Sequence, residues 1–351
     1  MRFRQLIAIL RPIAALAAAG VVAILILALL LAATGYDANA ALSALWRGSL
    51  GSTAALCSST LVRATPLILT GLAVALAFRA GILNIGAEGQ FLAGATAATW
   101  LGLDLAPAHP AVIALPLVLT FGALAGSVWA GIAAWLRRRF GVLEVISTIM
   151  LNFLAAYGVA YLVRGPLQEP THIYPQTATL ADALHLPWLI PGTRLHAGFA
   201  LAVVAAIAAA WVLRFTAPGY RLRASGANPF AAASAGLIDV QSTTTYAFLA
   251  SGALAGLAGA VEVTGVTYAL YENISPGYGY TAIAVALLAG LEPLAVIVAG
   301  ILFGALDAGA GAMQRDAGVP SVMVTVVEAV LILIFLIPRL RAMPDTARIP
   351  A

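Results

Sequence analysis

The sequence predicts an all-α fold, a polytopic transmembrane helical bundle of about ten spans with the N-terminus and the C-terminus in the cytoplasm. Of its 351 residues, 62% are hydrophobic and only 9% are charged, whereas soluble domains carry about 25% charged residues. Ten apolar segments are candidates to cross a bilayer, and the basic residues between them are unevenly distributed. A soluble enzyme or a nucleic-acid-binding protein does not fit this composition, so the expected surroundings are a lipid bilayer.

Each predicted span follows from hydropathy, since a membrane-crossing helix needs about 20 mostly apolar residues. The first segment is longer than the roughly 7–15 apolar residues of a cleaved signal peptide, so it is interpreted as a retained anchor. The segment at 279–291 is short and is expected to be tilted or broken. No low-complexity linker divides the chain, so residues 1–351 are interpreted as one transmembrane domain. The predicted spans are 12–34, 55–78, 88–103, 111–136, 145–163, 197–214, 243–270, 279–291, 294–312 and 321–338.

The basic residues orient these spans, because cytoplasmic loops of membrane proteins carry an excess of lysine and arginine. The chain contains no lysine, so all 18 basic residues are arginine. With the N-terminus inside, the arginines facing the cytoplasm are Arg2, Arg4, Arg11, Arg79, Arg137, Arg138, Arg139, Arg214, Arg221, Arg223, Arg339, Arg341 and Arg348. Those facing outside are Arg47, Arg63, Arg164, Arg194 and Arg315.

The absence of lysine also limits the chemistry of the chain. A phosphate-binding P-loop ends in Gly-Lys-Ser/Thr, and its lysine contacts the nucleotide phosphates. This chain therefore needs a partner ATPase if ATP drives its activity. A single cysteine, Cys57, excludes an internal disulfide, and the four histidines do not have metal-ligand spacing. We expect no catalytic residues, no metal and no cofactor bound by this chain.

Two predicted loops are large enough to have a role of their own. The outside loop, about 164–196, is rich in proline and is either a stiff cap over the helices or a docking surface for an extracytoplasmic partner. The cytoplasmic segment, about 217–239, contains Asn228-Pro229 followed by small residues. Asn can cap a helix and Pro suits its first turn, so a short non-spanning helix is expected from Phe230 to Ile238.

The segment Phe78–Gln90 reads FRAGILNIGAEGQ between two apolar runs. Its three glycines and its polar side chains fit an irregular backbone, which at membrane depth is tolerated only inside protein or beside a water-filled cavity. The alternative is an ordinary cytoplasmic turn with an Arg79–Glu88 surface pair.

Four segments resemble one family, the permease subunits of bacterial ABC importers for simple sugars and nucleosides. They are GLAVALAFRAGILNIGAEGQ (71–90), GVLEVISTIMLN (141–152), ASGANPFAAASAGL (224–237) and YTAIAVALLAGLEPLAVIVAGILFGAL (280–306). The FRAG-x-x-NIG-x-EGQ form and the chain length are similar to the longer of two paired permeases in guanosine-type nucleoside uptake systems.

The resemblance implies that the segment 217–239 is the coupling helix, which transmits ATP-driven closure from an ATP-binding subunit. The residues assigned to this ATPase coupling are Arg221, Arg223, Gly226, Asn228, Pro229, Ala232, Ala235 and Gly236. The alternative is a surface helix that only caps the bundle.

Polar groups within the spans are candidates for the translocation path, because charged and polar side chains in a membrane are costly and functional by default. The candidates are Asn84, Glu88, Gln90, Asn152, Glu262, Asp307 and Glu328. Hydrogen bonds between helices are the structural alternative for each of them. Glu144 lies one turn from Arg137, Arg138 and Arg139, and an interfacial salt bridge is expected there instead.

Taken together, these observations predict a permease subunit that imports a small neutral solute, a purine-type nucleoside or a simple sugar, by alternating access across the bacterial cytoplasmic (inner) membrane. The resemblance implies three partners: an ATP-binding subunit that holds ATP and Mg²⁺, a second and shorter permease, and an extracytoplasmic solute-binding protein. An ion-coupled secondary transporter using Glu262, Asp307 and Glu328 is the alternative. An intramembrane enzyme is a weaker alternative, because no catalytic pairing is evident.

Overall fold

The computed structural model describes residues 18, 20–105, 110–234 and 238–330, and the regular elements in these ranges are helices. This confirms the predicted all-helical fold. The helices are α1 (Gly20–Ala33), α2 (Ala38–Ser49), α3 (Thr53–Arg79), α4 (Ala87–Leu105), α5 (Ala111–Phe140), α6 (Glu144–Arg164), α7 (Ala197–Phe215), α8 (Ala217–Ala227), α9 (Pro229–Ser234), α10 (Val240–Thr267), α11 (Tyr278–Leu288), α12 (Pro293–Ala317) and α13 (322–330).

Six of these helices, α3, α5, α6, α7, α10 and α12, are long and apolar enough to cross a membrane. Helices α1 and α11 are apolar but shorter, and α4 has a polar first turn. Each predicted span between 55 and 312 overlaps one helix, and the short α11 matches the expectation of a tilted or broken span. The N-terminal part of the predicted span 12–34 and the C-terminal part of the predicted span 321–338 lie outside the described residues. Helices α2 and α8 were not predicted.

Local sequence signals explain where several helices begin and end. The Asp37 carboxylate accepts the backbone N–H groups of Asn39 and Ala40 at the start of α2, as expected of a capping residue. Asp239 caps α10 in the same way, and the hydrogen bonds that Ser242 donates lower the pKa of its carboxyl group. Gly141, with a φ of 67°, ends α5 in the left-handed conformation that glycine adopts without strain.

The centre of the fold is a three-helix contact of α4, α5 and α10, in which backbones touch. A Cβ added at Gly256 would collide with the backbone carbonyl of Gly122, and one added at Gly126 would collide with that of Gly252. The glycine pairs Gly122/Gly126 and Gly252/Gly256 therefore pack against each other within one chain. Glycines four residues apart let membrane helices approach closely.

The helices are joined into a bundle with two chemically different ends. The loop end carries residues 165–196, which follow α6. The arginine end carries the last turn of α3, the start of α12 and the last turn of α7, whose side chains Arg79, Glu292 and Arg214 are linked by ion pairs. The predicted salt bridge between Arg137 and Glu144, with an N–O distance of 3.6 Å, joins α5 to α6.

Residues 165–196 lie as a cap along the chain that follows α10. The backbone N–H groups of Thr177, Leu180 and Leu186 donate to the carbonyls of Leu270, Tyr268 and Thr264 at 2.7–2.8 Å. These bonds use backbone groups that a loop buried against helices would otherwise leave unpaired. Residues 165–196 are therefore held against the helix bundle, and a stiff cap and a docking surface for an extracytoplasmic partner both stay predictions.

Candidate functional site

The FRAGILNIGAEGQ segment forms a polar knot, defined as Asn84, Gln90, Asn152 and Ser251, where α3 ends and α4 begins. Asn84 Nδ2 donates to Gln90 Oε1 at 2.9 Å and to Ser251 Oγ at 2.8 Å. Asn84 Oδ1 accepts the Gly86 N–H and the Gln90 amide at 2.9 and 3.1 Å. The irregular backbone is thus inside protein, as expected.

Asn152 completes this knot from α6. Its Oδ1 accepts the Gly89 N–H at 2.8 Å, and its Nδ2 donates to the Ile85 carbonyl at 2.9 Å. The amide groups of Asn84 and Asn152 therefore use both donor and acceptor capacity on their own chain. Their geometry is that of structural hydrogen bonds between helices, and their place on a translocation path stays a prediction.

Glu88 contacts a different element from the one that the surface-pair alternative assigned to it. Its Oε2 accepts the Gly279 N–H at 2.7 Å in the first turn of α11, where a helix N-terminus favours a negative charge. Arg79 instead pairs with Glu292, with an N–O distance of 2.7 Å. The Arg79–Glu88 pair is therefore wrong, because Arg79 binds the start of α12 and Glu88 binds the first turn of α11.

A polar cavity of about 330 Å³ opens at the loop end between α3, α10 and residues 271–278. Among its lining residues are Ser58, Ser59, Arg63, Arg194, Glu262, Tyr271, Asn273 and Tyr278. Glu262 is only 5% exposed, so its carboxyl group is buried at the inner wall of this cavity. We call this cavity the loop-end cavity.

A second cavity, of about 250 Å³, shares Pro276 and Tyr278 with the loop-end cavity. Asp307 and Glu328 line it, so three of the predicted path residues lie in two neighbouring cavities. Arg63 forms an ion pair with Asp307, which joins α3 to α12 at this end. The structure thus brings Glu262, Asp307 and Glu328 together and keeps them apart from the polar knot.

Two side chains outside the spans, Tyr271 and His196, have pKa values that their surroundings shift. Burial, and then the charge of Glu262, raises the pKa of the Tyr271 phenol, so the hydroxyl stays protonated and can donate. His196 caps α7 by accepting the Gly198 N–H at 3.2 Å. Burial, with a smaller contribution from Arg194, lowers the pKa of His196 to about 4, so it is neutral at pH 7.

The predicted coupling segment forms two helices, α8 and α9, rather than one. Asn228 Oδ1 accepts the Ala231 N–H at 2.9 Å, which confirms the predicted cap. Arg221, Arg223, Asn228 and Pro229 are exposed, whereas Ala232 is buried. Ala235 and Gly236 lie outside the described residues.

Gly226 is packed against the body of the chain rather than facing outward. A Cβ at this position would collide with the backbone carbonyl of Arg79 at the end of α3. Arg79 also donates through Nε to the Leu291 carbonyl at 2.9 Å, and Glu292 binds both Arg79 and Arg214. The predicted coupling segment is therefore in direct contact with the end of α3. Arg79 at that end is linked through Glu292 to α12 and α7.

Sequence reasoning missed several residues at both places. At the coupling segment, Phe230 is 84% exposed, and the signal available was a single aromatic among small residues in a segment too polar to span. In the loop-end cavity, Arg194 and Asn273 come from connecting segments. Nothing in their local sequence indicates that they meet Glu262, because this depends on the fold of residues 268–278. Within the described residues, no three His, Cys, Asp or Glu side chains come together as metal ligands.

Comparison with known proteins gives the class of this chain. Residues 56–336 match the family model described as the branched-chain amino acid transport system permease component. The chain belongs to this family: it is a permease component of an ABC transporter and a multi-pass membrane protein. No solved structure matches the chain.

Three curated relatives show which kinds of ABC permease this chain resembles. The chain is 40% identical over 310 residues to the guanosine ABC transporter permease protein NupP of Bacillus subtilis, covering 87% of this chain and 88% of the relative. It is also 40% identical over 290 residues to the glucose ABC transporter permease protein TsgB13 of Haloferax volcanii, covering 80% of this chain and 75% of the relative. The nucleoside ABC transporter permease protein NupB of Lactococcus lactis is 32% identical over 314 residues, or 87% and 85%.

These findings confirm the predicted resemblance to permeases of nucleoside and sugar ABC transporters. They also confirm that the chain is a transport subunit and not an enzyme with its own ATPase. The ion-coupled and intramembrane-enzyme alternatives have no support in the family, so the polar groups described above are interpreted as parts of an ABC permease.

Proposed function

We propose that this chain is the transmembrane permease of an importer for a small neutral solute, a purine-type nucleoside or a simple sugar, and that it works by alternating access. The observation that carries the proposal is the 40% identity to a guanosine permease over 87% of the chain. The loop-end cavity supports it, because it combines hydroxyl, amide, carboxyl and guanidinium groups suited to a polyhydroxylated solute.

We propose ten spans with both termini in the cytoplasm of a bacterium, so that the loop end faces outside. The structure supports this orientation through its arginines. Arg79 and Arg214, both assigned to the inside, bind the same carboxylate of Glu292. Arg63 and Arg194, both assigned to the outside, line the same cavity. The grouping is the one that the positive-inside rule requires.

Helices α8 and α9 are proposed to couple the permease to an ATP-binding subunit, which would hold ATP and Mg²⁺. Phe230 projects from the start of α9 with 84% of its surface exposed, next to the exposed arginines of α8. An exposed aromatic side chain is a typical anchor at a protein interface. The docking surface is therefore centred on Phe230, while Gly226 and Ala232 hold the segment against the permease.

This arrangement provides a route from the ATPase to the solute. Movement of α8 acts on α3 through the contact of Gly226 with the Arg79 carbonyl. Arg79 and Arg214 transmit it to α12 through Glu292. The same two helices, α3 and α12, carry Arg63 and Asp307 at the cavities of the opposite end. Ion pairs thus join α3 to α12 near both ends.

A second, shorter permease and an extracytoplasmic solute-binding protein are proposed to complete the transporter. Bacillus subtilis has a second guanosine permease protein, NupQ, which is 29% identical to this chain over 258 residues. Identity to both proteins of one organism supports a pair of related permeases. The outer surface of residues 165–196, with exposed Tyr174 and Trp188, is the proposed contact for the solute-binding protein.

A mild-detergent purification of the tagged chain, followed by mass spectrometry of its partners, tests this assembly. We expect an ATP-binding subunit and a second permease to co-purify, and Phe230→Ala to lower the recovery of the ATP-binding subunit and the rate of uptake. Tyr157→Ala is the matched control, because Tyr157 is an aromatic residue 72% exposed within α6. Uptake that survives loss of ATP and stops when ion gradients are dissipated would contradict the proposal.

A further inference from the structure

Glu262 is a buried polar group with a cavity in front of it and, among the described residues, no hydrogen bond to its carboxyl group. Its side chain is 5% exposed and lines the loop-end cavity. Within the described residues, its carboxyl group forms no hydrogen bond, and Arg63, Arg194 and Asp307 are the charged groups near it. A buried polar group is normally paired, so this carboxyl group is set to bind something that enters the cavity.

The charges around the loop-end cavity balance. Arg63 and Arg194 line it together with Glu262, and Arg63 is already paired with Asp307. What remains is one carboxyl group facing one guanidinium group. A cavity with no excess charge does not favour an anion or a cation, and it fits a neutral solute that offers both donors and acceptors.

The geometry of a carboxylate indicates which groups the neutral solute presents to it. Its two oxygens lie side by side and accept hydrogen bonds, and the two hydroxyl groups of a vicinal diol present two donors at a matching spacing. The same cavity is lined by Ser58, Ser59, Asn273 and Tyr271, which can supply further donors for the remaining oxygens of the solute. The cavity volume of about 330 Å³ is within the range of small-molecule sites, about 300–1,000 Å³.

We propose that Glu262 binds the vicinal 2′- and 3′-hydroxyl groups of a ribonucleoside, so that the permease itself selects ribonucleosides over their 2′-deoxy analogues. The inference rests on the proposed function, since it names the part of the solute that the path recognises. A site built to bind a hydroxyl group discriminates strongly against an analogue that lacks it, because the polar group of the site is left unpaired. For one hydrogen bond to a charged group, the expected discrimination is about ten- to hundredfold.

Uptake by the complete transporter in membrane vesicles tests the proposal. Saturating rates are compared for guanosine and 2′-deoxyguanosine. Saturation removes the affinity of the external receptor from the comparison. The wild type is expected to move the diol solute at least about ten times faster than its deoxy analogue. Glu262→Gln is expected to slow the diol solute more than the analogue, so that the ratio falls towards one.

Asp104→Asn is the control for loss of one carboxylate, because Asp104 is exposed at the end of α4, away from the cavity, and its ratio should equal that of the wild type. Equal wild-type rates for a diol solute and its analogue overturn the proposal whatever the variant does. An equal slowing of both solutes by Glu262→Gln also overturns it. A wild type that moves hexoses but no nucleoside overturns this inference and leaves the proposed function in place, whereas one that moves neither overturns both.

Discussion

The polar knot and the loop-end cavity are both built from polar side chains within apolar helices, yet they differ in where the hydrogen bonds go. In the knot, Asn84 uses its whole amide on groups of the same chain. In the cavity, Glu262 faces open space, and its carboxyl group forms no hydrogen bond with the described residues. An intramembrane polar residue is therefore architectural when its partners are internal, and a candidate contact for solute when they are not.

Breaking the knot should have the largest effect, and it should act on assembly rather than on transport. Asn84→Leu leaves the Gly86 N–H and the Gln90 amide without a partner, at a cost of about 1–3 kcal/mol for each buried group, while Ser251 keeps its bond to the Ala73 carbonyl. We expect little folded protein by fluorescence-detected size-exclusion chromatography. Thr120→Val, a polar-to-apolar change on the exposed face of α5, should accumulate normally. A normal level of Asn84→Leu protein with defective uptake would place Asn84 on the path instead.

His196 sharpens the comparison, because it is 1% exposed and its Nε2 has no partner among the described residues, yet it lines neither of the two cavities. We therefore expect it to affect stability. Its folded-state pKa of about 4 is below the unfolded value of about 6.5, so the folded state disfavours the proton. Stability is then fully present above about pH 6.5 and is lost as the pH falls towards 4.

Between pH 7 and pH 5 this loss amounts to about 2 kcal/mol. Thermal unfolding in detergent at both pH values measures it. His196→Asn keeps a capping acceptor at the start of α7 and removes the titrating group, so its melting temperature should fall less on acidification. Equal falls in the wild type and the variant would contradict the assignment.

Glu328, which lines the second cavity, should behave as Glu262 does rather than as Asn84 does. Glu328→Gln is expected to leave the amount of folded protein unchanged and to change the saturating uptake rate about two- to tenfold, the effect of one hydrogen bond of about 0.5–1.5 kcal/mol. Protein level and uptake are measured on the same vesicles. A proportional fall in the protein level and in the uptake rate would show that Glu328 has a structural role, as Asn84 has.

The Arg63–Asp307 pair should give the smallest effect. Its two side chains are 40% and 37% exposed, so solvent screens the attraction. A double-mutant cycle with Arg63→Gln and Asp307→Asn, read by thermal unfolding, should give a coupling energy of about 0.2–1 kcal/mol. A coupling of several kcal/mol would show that the pair is isolated from solvent and is not part of an open cavity wall.

Much of the helical architecture could be predicted from the sequence, because apolar length sets each span and capping residues such as Asn228 act locally. The difference between the polar knot and the loop-end cavity could not be predicted from the sequence. Asn84 and Glu262 both occur as polar residues near apolar runs, and only the packing of α3, α6 and α10 decides that one meets Ser251 and the other meets space. Similarly, Gly226 and Phe230 are four residues apart, but the contact with Arg79 determines which one faces the partner.

Thiol labelling from outside distinguishes the loop-end cavity from the polar knot. In a Cys57→Ser background, a membrane-impermeant maleimide is applied to intact cells carrying Asn273→Cys in the loop-end cavity or Ser251→Cys in the polar knot. We expect the cysteine at position 273 to be labelled and to be protected by transported solute, whereas the cysteine at position 251 is not labelled. Labelling and protection at position 251, with none at position 273, would contradict the assignment of the solute path to the loop-end cavity.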